Sequence, residues 1–143
     1  MEKQNFFLFK GVTVFFKHTD YFGRVHPYNF FEWTSYVREA FFQQTVPNFL
    51  EVLDRPIKMM TVKISSKHIM DTCFGDKLEA RLTVDNRKKV SFDMIIRFYS
   101  EFKNAVVCET THTIVFVDTI NNKFSPIPEE MFRVVQDYPE KSI

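Results

Sequence analysis

Glycine and cysteine are both scarce in this chain: three glycines and two cysteines in 143 residues. With so little glycine there is no linker rich in Gly, Pro or Ser, and no internal repeat or low-complexity stretch interrupts the chain. Cys73 and Cys108 have no motif spacing and no metal-ligating neighbours in sequence, so a disulfide framework and a metal site are not expected, and a reduced, cytoplasmic protein is. An excess of one charge is missing as well. The net charge is +1, which argues against nucleic acid or a membrane surface as partner. No uncharged apolar run approaches the roughly 20 residues of a membrane span, and the opening Met1-Glu2-Lys3-Gln4-Asn5-Phe6-Phe7 does not read as a signal peptide. The length suits one domain and is short for two cores.

What is abundant is phenylalanine: 18 residues, with aromatics at 17% of the chain. That density implies an aromatic core or an apolar cavity for a greasy ligand, the core being the commoner use. Residues 6–17 read as a strand rich in Phe and Val, ending at the polar break His18-Thr19-Asp20-Tyr21-Phe22-Gly23. Pro27 stands where a first helical turn tolerates it. From Tyr28 to about Thr45, Phe30, Trp33, Val37, Ala40 and Phe41 recur at helical spacing, and Pro47 closes the run. Alternation then takes over. Met60, Val62, Ile64, Ser66, His68 and Met70 share one face of a strand. After the turn at Gly75-Asp76 come Leu78 to Val84, then Val90 to Phe98, then a long strand over residues 105–118. Short connections between these suggest an antiparallel meander. A short helix over about 128–135 lies in a charged tail, residues 121–143, expected at the surface of a single domain with its core at about 6–120. The class is α+β: a curved antiparallel sheet of about five strands around one long central helix.

Asp20 is the residue most suggestive of chemistry. A carboxylate between a buried strand and a helix start faces the positive end of the helix dipole, and the same helix end offers N–H groups to a carbonyl oxygen. Asn29 serves either as a polar substrate contact or as a helix cap. Arg38 suits a pocket wall or an internal ion pair. His18 and His26 flank the loop, whereas His68 and His112 fall on apolar strand faces, where a satisfied core histidine is expected.

The stretch from His18 to Phe30 resembles the signature of hotdog acyl-CoA thioesterases of the 4-hydroxybenzoyl-CoA thioesterase type: an acid, Gly three residues on, a small apolar residue, then Asn at the helix start. Asp20, Gly23, Val25 and Asn29 hold those spacings, Arg38 matches a basic position on the helix, and Gly75-Asp76 matches the turn before the third strand. The helix end Val37-Arg38-Glu39-Ala40-Phe41-Phe42 and the following Pro47-Asn48-Phe49-Leu50 also resemble enediyne polyketide thioesterases, a branch that tends to carry Asn where this chain has Asp20. The resemblance implies a hotdog fold and cleavage of an acyl-CoA or acyl-carrier-protein thioester to a free acid, without a cofactor. It makes Asp20 the nucleophile or general base, assisted by Asn29 and Arg38. Gly23, Val25, His26 and Tyr28 would border the substrate, and the basic turn Arg87, Lys88 and Lys89 would meet coenzyme A phosphates, often across a subunit boundary. A homodimer or homotetramer follows from the same resemblance and from the exposed edges of an open sheet. One departure stands out: Pro27 occupies the position whose N–H polarises the carbonyl in the family, and proline has none. Two other readings remain at this stage, a non-catalytic binder of acyl thioesters or other hydrophobic ligands, and a hydratase or dehydratase using His26.

Overall fold

A computed structural model describes residues 5–140. Strand β1 (Phe7–Thr13) is followed by a single 3-10 turn (Phe16–His18) and the long helix α1 (Asn29–Thr45). A short helix α2 (Phe49–Leu53) precedes β2 (Ile57–His68), β3 (Lys77–Asp85), β4 (Ser91–Ser100) and β5 (Ala105–Asp118). The two-residue β6 (Lys123–Phe124) and helix α3 (Glu129–Val135) complete the described chain.

All pairings between these strands are antiparallel, in the order β1-β3-β4-β5-β2 with β6 beside β5. The meander expected from the sequence holds only for β3, β4 and β5. Strand β2 lies at the far edge, against β5, and β1 closes the other edge against β3. The sheet curls around α1. Phe30, Trp33, Val37, Phe41 and Phe42 are buried on the helix side, and Phe92, Met94, Ile96 and Phe98 on the sheet side. Phe30 meets Phe98 edge to face at 5.2 Å, so much of the phenylalanine is spent on core. A hydroxyl pair bolts the two layers at the middle: Thr34 Oγ1 lies 2.7 Å from Thr110 Oγ1, both fully buried.

Three expectations need correction, and one short element is additional. The first strand stops at Thr13 rather than Lys17, because Val14 turns to bond with Asp76 and Gly75 and the chain tightens into the 3-10 turn. After Pro47, Asn48 takes a left-handed φ of 54° and starts α2, an element with too short a pattern to read. The alternating face of β2 is not buried: Met60, Val62 and Ile64 are each about half exposed, and the register slips between Thr61 and Lys63. The tail is not a surface appendage. Ile127, Met131 and Val135 are buried, the Tyr138 ring packs 5.3 Å from Phe41, and Val84 N–H donates to Tyr138 O at 2.7 Å. Residues 141–143 of that tail lie outside the described residues. No helix among the described residues is long and apolar enough to cross a membrane.

Candidate active site

The loop between the 3-10 turn and α1 is a small hairpin with Asp20 at its root. Asp20 N–H donates to Arg24 O at 2.7 Å, Gly23 N–H returns to Asp20 O at 3.0 Å, and Thr19 bridges Val25. Gly23 has φ of +79°, a turn conformation that disfavours any side chain. The Asp20 carboxylate is part of this construction. Its Oδ1 accepts from Phe22 N–H at 2.9 Å and Arg24 N–H at 3.1 Å, while Oδ2 lies 3.7 Å from Arg24 Nε. The side chain is 31% exposed, so the loop aims the carboxylate without burying it.

Asn29 sets the other end. It is buried, and its Nδ2 donates to His18 O at 2.8 Å and His26 O at 3.0 Å, tying both sides of the loop to the start of α1. Val25 is buried in the core with its N–H on Thr72 O. At the helix mouth, Asn29 N–H is taken by His26 O and Phe30 N–H by Pro27 O, both at 3.1 Å. Tyr28 N–H has only the long contact of 3.4 Å to Nδ1 of His26, whose ring lies over Tyr28 at 4.4 Å.

Asp20 faces a cleft of about 210 Å³, lined also by Arg24, Val25, Pro27, His68 and Asp71. His68 is therefore not a core histidine. It stands at the exposed end of β2, its Nε2 3.1 Å from Asp71 Oδ1, and Asp71 Oδ2 lies 3.7 Å from Arg24 Nη1. A larger recess of about 350 Å³ opens between β1 and α1, with Phe9, Val12, Phe15, Trp33 and Tyr36 among its walls. His18 borders it. Its Nδ1 accepts from Phe15 N–H at 2.9 Å, and its ring packs edge to face on Trp33. Burial, and then Lys17, hold the His18 imidazole below its ordinary pKa, with Glu32 opposing.

Arg38 belongs to a separate polar cluster, nine residues into α1 and so about 13 Å along the helix from Asn29. Nη1 donates to Thr61 Oγ1 at 2.8 Å and lies 3.4 Å from His112 Nδ1, and Nη2 pairs with Glu39 at 3.2 Å. His112 is 3% exposed, and burial, reinforced by Arg38, pushes its pKa down to about 4. Arg38 Nε and His112 Nε2 are buried without a partner among the described residues, so this histidine is core but not satisfied. The basic turn is elsewhere. Arg87 stacks over Phe132 at 5.0 Å, at the opposite end of β3 from the Asp20 loop, about 26 Å along the strand. Asp20, Asn29, Gly23, Val25, His26 and Tyr28 are thus brought together, whereas Arg38 and the turn Arg87-Lys88-Lys89 are not.

Two features of the site have no signal in the sequence pattern. Asp71 follows His68 by three residues, a spacing that is legible only once β2 is known to end between them. Asp76 was read as a turn residue, yet its fully buried carboxylate accepts from Lys77 and Phe102 N–H and from the hydroxyls of Thr72 and Ser100.

Residues 14–135 match the model of the thioesterase-like superfamily. A search of curated proteins finds no match. Among solved structures, the dynemicin thioesterase superposes with a TM-score of 0.85 at 17% identity, over 96% of this chain and 100% of that one. A 1,4-dihydroxy-2-naphthoyl-CoA thioesterase from Synechocystis gives 0.79 at 18% identity, over 93% and 97%. A hypothetical protein from Staphylococcus aureus in complex with CoA gives 0.83 at 12% identity, over 100% and 92%. At these identities the likeness is one of fold.

Proposed function

Because the chain belongs to the thioesterase-like superfamily, and is on that ground a thioester hydrolase, we propose that it cleaves an acyl-CoA or acyl-carrier-protein thioester to the free acid with Asp20 as nucleophile or general base. The observation that carries this is the placing of a partly exposed carboxylate in a cleft beside the N-terminus of α1. There the helix dipole favours negative charge, and the developing oxyanion needs donors. Pro27 supplies none. Tyr28 N–H is the most weakly engaged amide at that mouth, and a shift of the His26 ring frees it for a carbonyl oxygen. Asn29 acts here by positioning, holding the loop on the helix.

The S. aureus structure contains CoA and the Synechocystis enzyme is named for a CoA thioester, which supports coenzyme A as the carrier here. The basic turn Arg87-Lys88-Lys89 lies about 26 Å along β3 from the Asp20 loop within one protomer, so a second copy that brings the turn nearer would let it meet the coenzyme A phosphates. Strand β2 supports such a copy: among the described residues nothing pairs with its outer edge, and Met60, Val62 and Ile64 are half exposed, an edge that unpaired proteins avoid. We therefore place a homodimer contact along β2.

The test is thiol release from aliphatic and aromatic acyl-CoAs by the native protein, Asp20→Ala and Asp20→Asn. Loss of about a hundred- to ten-thousandfold in both variants, with melting unchanged for Asp20→Asn, is expected. Turnover surviving in both removes Asp20 from the chemistry. Tight acyl-CoA binding by the native protein without thiol release would make it a binder instead.

A further inference from the structure

In this cleft, Asp20 is not alone among groups able to move a proton. From Asp20 Oδ2 the contacts run to Arg24 Nε at 3.7 Å, from Arg24 Nη1 to Asp71 Oδ2 at 3.7 Å, and from Asp71 Oδ1 to His68 Nε2 at 3.1 Å. All four residues line the same space of about 210 Å³. The pair Asp71–His68 has the form of a carboxylate orienting an imidazole. Asp71 Oδ1 stands 3.1 Å from Nε2, an ion pair when the ring is protonated, and this leaves Nδ1 as the ring nitrogen for proton transfer. Among the described residues no protein group bonds to that nitrogen. His68 is 49% exposed, so it is not held by core packing, and it stands at the last residue of β2 with Cys108 opposite on β5.

We propose that His68, oriented by Asp71, is the proton donor to the leaving thiolate, an assignment that rests on Asp20-dependent thioester hydrolysis in this cleft. The step balances as follows for Asp20 acting as base. Asp20 takes a proton from water as the water oxygen bonds to the carbonyl carbon. The C–S bond then breaks, and the sulfur takes its proton from Nδ1 of the His68 imidazolium. Asp20 returns its proton to His68 through solvent, which restores both groups. The free acid and the free thiol are the products. If Asp20 is instead the nucleophile, the C–S bond breaks as the acyl group passes to its carboxylate, and His68 protonates the thiolate in the same way. Neutral Nδ1 then takes a proton from the water that opens the anhydride. Arg24 sits between the two carboxylates, 3.7 Å from an oxygen of each.

His68→Gln and Asp71→Asn test this on two thioesters of the same acyl group, one of coenzyme A and one of thiophenol. Proton donation helps an alkyl thiolate to leave more than it helps an aryl thiolate, whose thiol is the stronger acid. For His68→Gln, kcat on the CoA ester is expected to fall about a hundredfold, and on the thiophenyl ester by less than about fivefold. The limb of the pH profile set by His68 should vanish from kcat. Asp71→Asn should move that limb and lower kcat to a lesser degree. Equal losses on both esters, or no loss, overturn the assignment while leaving the Asp20 reading intact. Absence of turnover by the native protein on either ester overturns both. His68 is exposed, so thermal melting of the variants should match the native protein, which separates a chemical loss from an unfolded one.

Discussion

The side-chain amide of Asn29 donates to the carbonyl oxygen of His18 at 2.8 Å, joining the start of α1 to a residue eleven positions earlier. A second bond from the same nitrogen, to His26 O, makes Asn29 the clasp of the loop that presents Asp20. The amide must be a donor on that side. Asn29→Asp would set carboxylate oxygens against two carbonyl oxygens, whereas Asn29→Ala only leaves them unpaired. We expect Asn29→Ala to cost about 1–3 kcal/mol by urea denaturation and Asn29→Asp more at neutral pH. Both should lower kcat/KM, with part of the Asn29→Asp stability deficit recovered on acidification as the new carboxyl protonates. A variant as stable as the native protein would show that the loop holds without this clasp.

Much of the fold was legible because its signals are local. Helix α1 and strands β3, β4 and β5 announce themselves through spacing, since each buries one face against the other layer. Strand β2 carries the same alternation yet is largely exposed, since period two marks a strand and not which side is covered. Nothing in Met60-x-Val62-x-Ile64 says that the strand has moved to the far edge. The loop holding Asp20 was recognisable from the spacing of Asp20, Gly23 and Asn29; that Asn29 clasps the loop through its amide, and does not cap α1, is visible only in the fold. The Asp71–His68 pair was not recognisable, because it depends on where β2 stops and on the loop beyond it folding back. His112 was readable as a core residue but not as an unsatisfied one, since its neighbour Arg38 comes from another element 74 positions away.

Asp76 offers a test of the turn before β3. Its Oδ1 accepts from Lys77 N–H at 2.8 Å and Phe102 N–H at 3.1 Å, and its Oδ2 from the Thr72 and Ser100 hydroxyls. In Asp76→Asn, the amide oxygen can keep the two backbone donors while the amine faces hydroxyls that can rotate to accept. Alanine leaves every donor unpaired in a buried site. Expected costs are about 1–2 kcal/mol for Asn and about 3–5 kcal/mol for Ala, read from chemical denaturation. Equal costs would mean that the carboxylate's charge, not its lone pairs, holds the turn.

The buried His112 gives the fold an acid sensitivity of defined sign. Its pKa falls from an ordinary 6.5 to about 4, through burial first and the Arg38 charge second. The unfolded chain therefore binds a proton between about pH 6.5 and 4 that the folded protein refuses. The stability linked to this group is complete above pH 6.5 and is lost as pH falls towards 4, by up to about 3 kcal/mol. Denaturation of the native protein and of His112→Asn at pH 7.5, 5.5 and 4.5 isolates this contribution from that of the carboxylates. The native protein should lose more stability over that range than the variant, and parallel curves would show that His112 titrates normally.

The free edge of β2 bears on assembly and activity together. Ile64 is half exposed and lies on a strand that bonds to β5 on one side only, so a substitution there should leave the protomer core untouched. If two copies meet along this edge, Ile64→Glu brings like charges into the contact from both, which opposes pairing. Light scattering should then report a dimer for the native protein and a monomer for the variant at micromolar concentration. Melting of the variant should become independent of protein concentration, unlike that of a folding-coupled dimer. The activity of that monomer carries the further argument. Since the basic turn lies about 26 Å along β3 from the Asp20 loop within one chain, KM for an acyl-CoA should rise on dissociation. The same ester on a short phosphate-free thiol should be hydrolysed with little change in KM. A native protein that scatters as a monomer would remove the second copy, and with it any contact of the partner's basic turn with the substrate.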